Sequence, residues 1–155
     1  LRSAVDDQVK NLRDWGIPLG RRFRALKLWF AIREQGVEAL RERLRRDMRN
    51  ARWLAEQAEA APRWRVLAPV PLQTACLRHE PPGLEGEALD RHTLGWAERV
   101  NRSGAAYLTP AVLDGRWMVR VSVGAEATER ADVAALWDAV REAAEADNQG
   151  PRPAG

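Results

Sequence analysis

Cysteine is nearly absent. The 155 residues hold one, Cys76, so no internal disulfide can form, and a lone thiol fits a reducing cytoplasm. Lysine is almost as scarce: of 25 basic residues only Lys10 and Lys27 are lysines, a bias that a GC-rich genome produces without any binding function. An excess of one charge is missing too. Basic residues outnumber acidic ones by three, 25 against 22, too few to argue for nucleic acid as a partner. No apolar run approaches the roughly 20 residues that span a bilayer, and no apolar stretch follows the opening Leu1-Arg2-Ser3-Ala4-Val5-Asp6-Asp7 as a secretory signal would require. The two histidines, His79 and His92, have no cysteine or paired carboxylate at metal-ligand spacing, so no metal site is read. A Ser-His-Asp set, a Cys-His pair and a glycine-rich phosphate loop are likewise absent.

What remains is an ordinary globular balance, 45% apolar and 30% charged, in a length that supports one domain with a core. Residues 1–20 show no helical or strand period and read as an extended segment leading in from a missing large domain. Residues 21–146 read as one α+β domain with linking helices, and the Pro/Gly-rich tail, 147–155, is expected to be disordered. The chain does not open on methionine and is expected to be part of a longer polypeptide.

Within the domain the periodicity predicts a helix over 21–35, apolar on most sides and therefore expected to be packed on most sides. Gly36 breaks it. A long linking helix over 37–61 follows, with a stripe of Val37, Leu40, Leu44, Met48, Ala51 and Ala55. Its other face carries arginines, Arg41, Arg45, Arg46, Arg49 and Arg52, interleaved with Glu38, Glu42 and Asp47. Strands are predicted over 64–68 and 73–79, with Cys76 as a buried structural thiol. A third helix spans 87–102, with Gly104 at its C-terminal cap. Asp114-Gly115 between apolar runs 106–112 and 116–123 is a hairpin signal. The second of these strands alternates, with Trp117, Val119, Val121 and Val123 on one side and Met118, Arg120 and Ser122 on the other. A last helix spans 129–146, capped by Thr128. The order implies a mostly antiparallel four-stranded sheet with helices on one face.

Two residues stand out chemically. Gly20 precedes a helix start and Arg21-Arg22, a place where free N–H groups and the helix dipole favour an anion; a turn with solvated arginines is the plainer alternative. Arg120, mid-strand, requires either a structural carboxylate partner or a ligand carboxylate.

The run Trp15-Gly16-Ile17-Pro18-Leu19-Gly20-Arg21-Arg22-Phe23-Arg24-Ala25-Leu26-Lys27-Leu28-Trp29-Phe30, with Gly36-Val37 after it, resembles the group II pyridoxal-phosphate decarboxylases, and the aromatic L-amino-acid decarboxylases among them. Tyr107-Leu108-Thr109-Pro110, Asp114-Gly115, Val119-Arg120-Val121-Ser122-Val123-Gly124, Thr128 and Trp137 follow that family's C-terminal pattern in order. The resemblance implies the small C-terminal domain of a fold-type I enzyme, a homodimer, with pyridoxal 5'-phosphate held by a lysine that follows a histidine in a large domain. Lys10 follows Val9 and Lys27 follows Leu26, so neither matches, and the chain alone is expected to be inactive. The resemblance also places Gly20 near the cofactor phosphate. It sets Arg120 where the glutamate decarboxylase branch contacts the substrate carboxylate, and it suggests an aromatic amino acid as substrate. Two alternatives have different consequences. A stand-alone nucleic-acid-binding module would use the arginines of the second helix, and a non-catalytic interaction domain would lack any companion carrying the cofactor lysine.

Overall fold

The computed structural model describes residues 22–146. The extended segment, Gly20 and the tail lie outside the described residues. The chain divides into two compact units, Leu1–Val37 and Glu38–Gly155.

In the first unit, α1 (Ala25–Gln35) begins later than its periodicity predicts. Arg24 occupies the cap position and its side chain makes no capping bond. The helix ends where Gly36, at φ +79°, sends its N–H back to the Ile32 carbonyl at 2.9 Å. Glycine reaches that positive φ without the Cβ penalty other residues carry. No residue of α1 is buried, so the packing that its apolar circumference calls for is not made among the described residues. Phe23, Leu28, Trp29 and Phe30 are all more than half exposed. A helix apolar around its circumference needs apolar neighbours on several sides, and the described residues do not supply them.

The second unit holds all but the first residue of α2 (Val37–Ala60), then β1 (Trp64–Val66), β2 (Thr74–His79), α3 (Gly86–Ser103), β3 (Thr109–Leu113), β4 (Arg116–Ser122) and α4 (Arg130–Glu145). The sheet is antiparallel throughout, in the order β1-β2-β4-β3. Asp114 (φ 49°) and Gly115 (φ 74°) form the hairpin turn. Two consecutive positive φ angles give the turn whose twist matches its strands. They lock a register in which Leu113 faces Arg116 and, further out, Thr109 faces Arg120. On its other side β4 pairs with β2, where Cys76 faces Arg120.

Alternation then sorts the sheet into two faces. Ala75, Leu77, Val119 and Val121 are buried against Ala51 and Leu54 of α2, Trp96 and Val100 of α3, and Val133 and Val140 of α4. Trp64 lies at the centre, edge-on to Trp96 at 5.5 Å and to Trp137 at 5.0 Å.

Three expectations about this unit need correction. The stripe of α2 is buried from Ala51 onward, but Leu44 is 48% exposed, and Asp47 and Asn50 are buried ahead of Ala51. The start of α4 serves Asn50, and Arg46 lies beside Asp47 with its Nε 3.5 Å from Oδ1. Arg130 Nε donates to Asn50 Oδ1 at 2.9 Å and stacks over Trp53 at 4.8 Å. Arg46 donates to Glu129 Oε1 at 2.6 Å and to the Glu126 carbonyl at 2.7 Å. Second, α4 is capped by Glu129 rather than Thr128, since Asp132 Oδ2 accepts the Glu129 N–H at 2.8 Å in a capping box. Third, Cys76 is only half-buried, because its strand position faces away from the helices.

Candidate functional site

The sheet face opposite α2, α3 and α4 is where β4 carries Arg120. The strand presents Arg120 and Ser122 outward while Val119 and Val121 are buried behind them. Arg120 is flanked by Cys76 on β2 and Thr109 on β3. Its guanidinium is exposed and makes no hydrogen bond or ion pair with any described residue, so no carboxylate within the described domain holds it. Burial pushes the Cys76 thiol up, and the Arg120 charge draws it partly back. Thr74 and Ser122, also on this face, bond each other at 3.0 Å. The chemical capacity of the face is therefore simple. It offers a free, permanently charged fork that suits a carboxylate, in a setting of small hydroxyl and thiol side chains.

One end of the same face is closed. Met118 and Arg78 are buried there, each under 5% exposed, although alternation places them with Arg120. Asp90 of α3 fills the gap at the end of β2 and β4. Its Oδ1 accepts the Trp117 N–H at 3.3 Å and lies 3.4 Å from Arg78 Nη2. Arg78 Nε and Nη1 are buried with no hydrogen-bond partner among the described residues. Beside them a groove of about 480 Å³ runs past Glu80, Gly86 and Arg116. With Glu80, Glu85 and Asp90 against Arg78 and Arg116, carboxylates outnumber guanidinium groups, and the groove has no net attraction for anions.

Four of the five α2 arginines singled out in the sequence are engaged with carboxylates. Arg41 pairs with Glu38, and Arg45 and Arg49 both reach Glu42, at 3.7 and 2.7 Å. The hydrogen bond from Arg49 holds the Glu42 carboxyl below its usual range. Arg46 is turned to Glu129. Among the described residues no group of three His, Cys, Asp or Glu could hold a metal ion, and no helix is long and apolar enough to cross a membrane.

His79 and His92 find each other instead. His79 Nδ1 lies 2.9 Å from His92 Nε2, and both rings are buried. Burial, then the His92 and Arg63 charges, lowers the His79 pKa to about 4. The unfolded chain, with an ordinary histidine pKa of about 6.5, binds the proton first as pH falls. The stability tied to neutral His79 is therefore complete above about pH 6.5 and is lost between there and about pH 4. Urea unfolding at pH 7.5 and pH 5 should differ by on the order of 1–2 kcal/mol from this group, and His79→Gln should flatten the slope. An unchanged slope in the variant would assign the acid sensitivity elsewhere.

Of the residues singled out in the sequence, Arg120 stands on an open face with no internal partner, while Gly20 falls outside the described residues. Thr109 was not singled out, yet counting outward from Asp114-Gly115 pairs it with Arg120. Cys76 could not have been found so, because its pairing joins strands far apart in the chain.

Comparison with known proteins fits this architecture. The model of the pyridoxal-dependent decarboxylase conserved domain matches residues 1–80. A tryptophan decarboxylase of Camptotheca acuminata is 35% identical over 94% of this chain and 29% of its own length. A tyrosine decarboxylase of Narcissus pseudonarcissus is 32% identical over 94% of this chain and 29% of its own. The crystal structure of Oryza sativa TDC with PLP and tryptamine superposes with a TM-score of 0.78 at 29% identity, covering 91% of this chain and 30% of that one. The chain thus spans about three-tenths of the length of these relatives, and its helices and four-stranded sheet are the fold of the matching part. The chain belongs to the pyridoxal-dependent decarboxylase family.

Proposed function

We propose that this chain is the C-terminal part of a pyridoxal-phosphate-dependent L-amino-acid decarboxylase, and that the polypeptide containing it converts an aromatic amino acid to its amine and carbon dioxide. The observation that carries the reading is the pattern of coverage: similarity to aromatic amino-acid decarboxylases runs through 94% of this chain but touches only 29% of each relative. The cofactor would supply an electron sink for the carbon–carbon cleavage. The described residues do not fit the cofactor's anchoring role. Lys27 is their only lysine, exposed on α1, and it follows Leu26. The group that binds pyridoxal phosphate covalently belongs to the rest of the polypeptide, and no step is routed through this chain's lysines.

Two features supply this chain's contribution. The apolar circumference of α1, exposed among the described residues, is covered by the large domain and by the second subunit of a homodimer. The open sheet face turns Arg120 toward the cleft, where it takes the substrate carboxylate. The enzyme works in the cytoplasm, in keeping with its one thiol here.

Expression of the complete polypeptide with pyridoxal phosphate tests the reading. It should release carbon dioxide from L-tryptophan or L-tyrosine and sediment as a dimer, while residues 1–155 alone should release none. Decarboxylation by the isolated chain, or a complete polypeptide inert toward both amino acids, would overturn it.

A further inference from the structure

We infer that Thr109 is a second contact for the carboxylate that Arg120 receives, its hydroxyl donating beside the guanidinium fork; the inference rests on the substrate-binding reading of Arg120. In the β3–β4 hairpin Thr109 lies directly opposite Arg120. Side chains at opposed positions rise from one face with Cβ atoms about 5 Å apart, so the hydroxyl and the arginine stem stand side by side.

Three strand residues on this face carry hydroxyls: Thr74, Thr109 and Ser122. Thr74 and Ser122 are spent on each other at 3.0 Å. Thr109 is exposed, and its hydroxyl makes no hydrogen bond to any described residue. It sits on β3, which among the described residues is an edge of the sheet and pairs only with β4. Room for a ligand therefore exists on its outer side among the described elements. A carboxylate offers about four lone-pair positions. The guanidinium fork takes two of them in its plane, and a hydroxyl to one side can donate to a third. Cys76, on the opposite flank, is a poor substitute, since a thiol is a weak donor.

Substrate binding should feel this contact, and binding of the product should not, because the amine has lost the carboxylate. The test uses the complete enzyme and two competitive inhibitors matched to the amino acid it turns over. For tryptophan these are indole-3-propionate, which keeps the carboxylate, and tryptamine, which lacks it. For tyrosine the pair is 4-hydroxyphenylpropionate and tyramine. Thr109→Val should raise KM and the inhibition constant of the propionate about five- to tenfold, the loss of one charge-assisted hydrogen bond at a partly wet site. Turnover should stay within about twofold and the amine's inhibition constant should not move. Thr109→Ser should restore the propionate's affinity.

Equal weakening of propionate and amine would make Thr109 a structural residue, and an unmoved propionate would remove it from the site; either result overturns the inference. Arg120→Lys, run in parallel, keeps the two levels apart. If it weakens the propionate while Thr109→Val does not, only Thr109 is misassigned. If neither variant does, the carboxylate reading of Arg120 falls with it.

Discussion

Trp64→Ala is expected to remove about 3–5 kcal/mol of stability, the usual cost of emptying a large aromatic site in a packed core. Trp64 is 4% exposed and touches three elements at once. Its ring meets Trp96 of α3 and Trp137 of α4 edge-on, and it lies 4.9 Å from His79 of β2. Aromatic pairs in this geometry add about 0.5–1.5 kcal/mol beyond the area they bury. Since domains of this size are stable by only about 5–15 kcal/mol, the variant should sit close to unfolding. Denaturant unfolding followed by circular dichroism measures the loss, with Tyr107→Ala as the control. Tyr107 is 88% exposed, so its removal should change stability by no more than about 0.5 kcal/mol. A Trp64→Ala loss below about 1 kcal/mol would mean that the tryptophan cluster does not hold β1 to the helices.

The hairpin and the core strand were legible because their signals are local. Asp114-Gly115 states its own turn type, and the alternation of β4 states which residues face the helices. The register that joins Thr109 to Arg120 follows from those two facts by counting. The pairing of β2 with β4 was not legible, because α3 and β3 intervene and nothing local to Cys76 names a partner. Cys76 consequently reads as a buried core thiol in the sequence, although it stands half-buried beside a guanidinium.

Burial of polar groups was the other blind spot. A helical stripe predicts that α2 buries apolar residues, yet Asp47 and Asn50 go inward. The partner of Asn50 comes from the first residue of α4, far along the chain, while Asp47 has the neighbouring Arg46 Nε at 3.5 Å. Met118 and Arg78 show the same effect on the sheet. Alternation assigns them to the open face, yet both are buried, and Asp90 of α3 reaches Arg78 there. For α1 the sequence and the structure agree in an informative way. The periodicity demands neighbours on most sides, the described residues provide none, and the relatives are more than three times as long as this chain's share of them.

Arg120→Lys in the complete enzyme is expected to lower kcat/KM roughly 30- to 100-fold, equivalent to about 2–3 kcal/mol of lost charge-assisted hydrogen bonding. The substitution keeps the positive charge and most of the length, but it replaces a planar fork that binds a carboxylate through two parallel bonds with a single point charge. A role confined to general attraction of the substrate would survive it, so the loss isolates geometry. The structural alternative, an ion pair inside this domain, predicts the reverse, a lowered melting temperature with normal kinetics. Here the guanidinium is exposed and engages no described carboxylate, which removes the contact such a pair would need. Stability of the variant should then lie within about 0.5 kcal/mol of the parent, as for other exposed substitutions. Steady-state kinetics and thermal unfolding on the same preparation decide between them. Wild-type kinetics with a destabilised fold would leave Arg120 as scaffold.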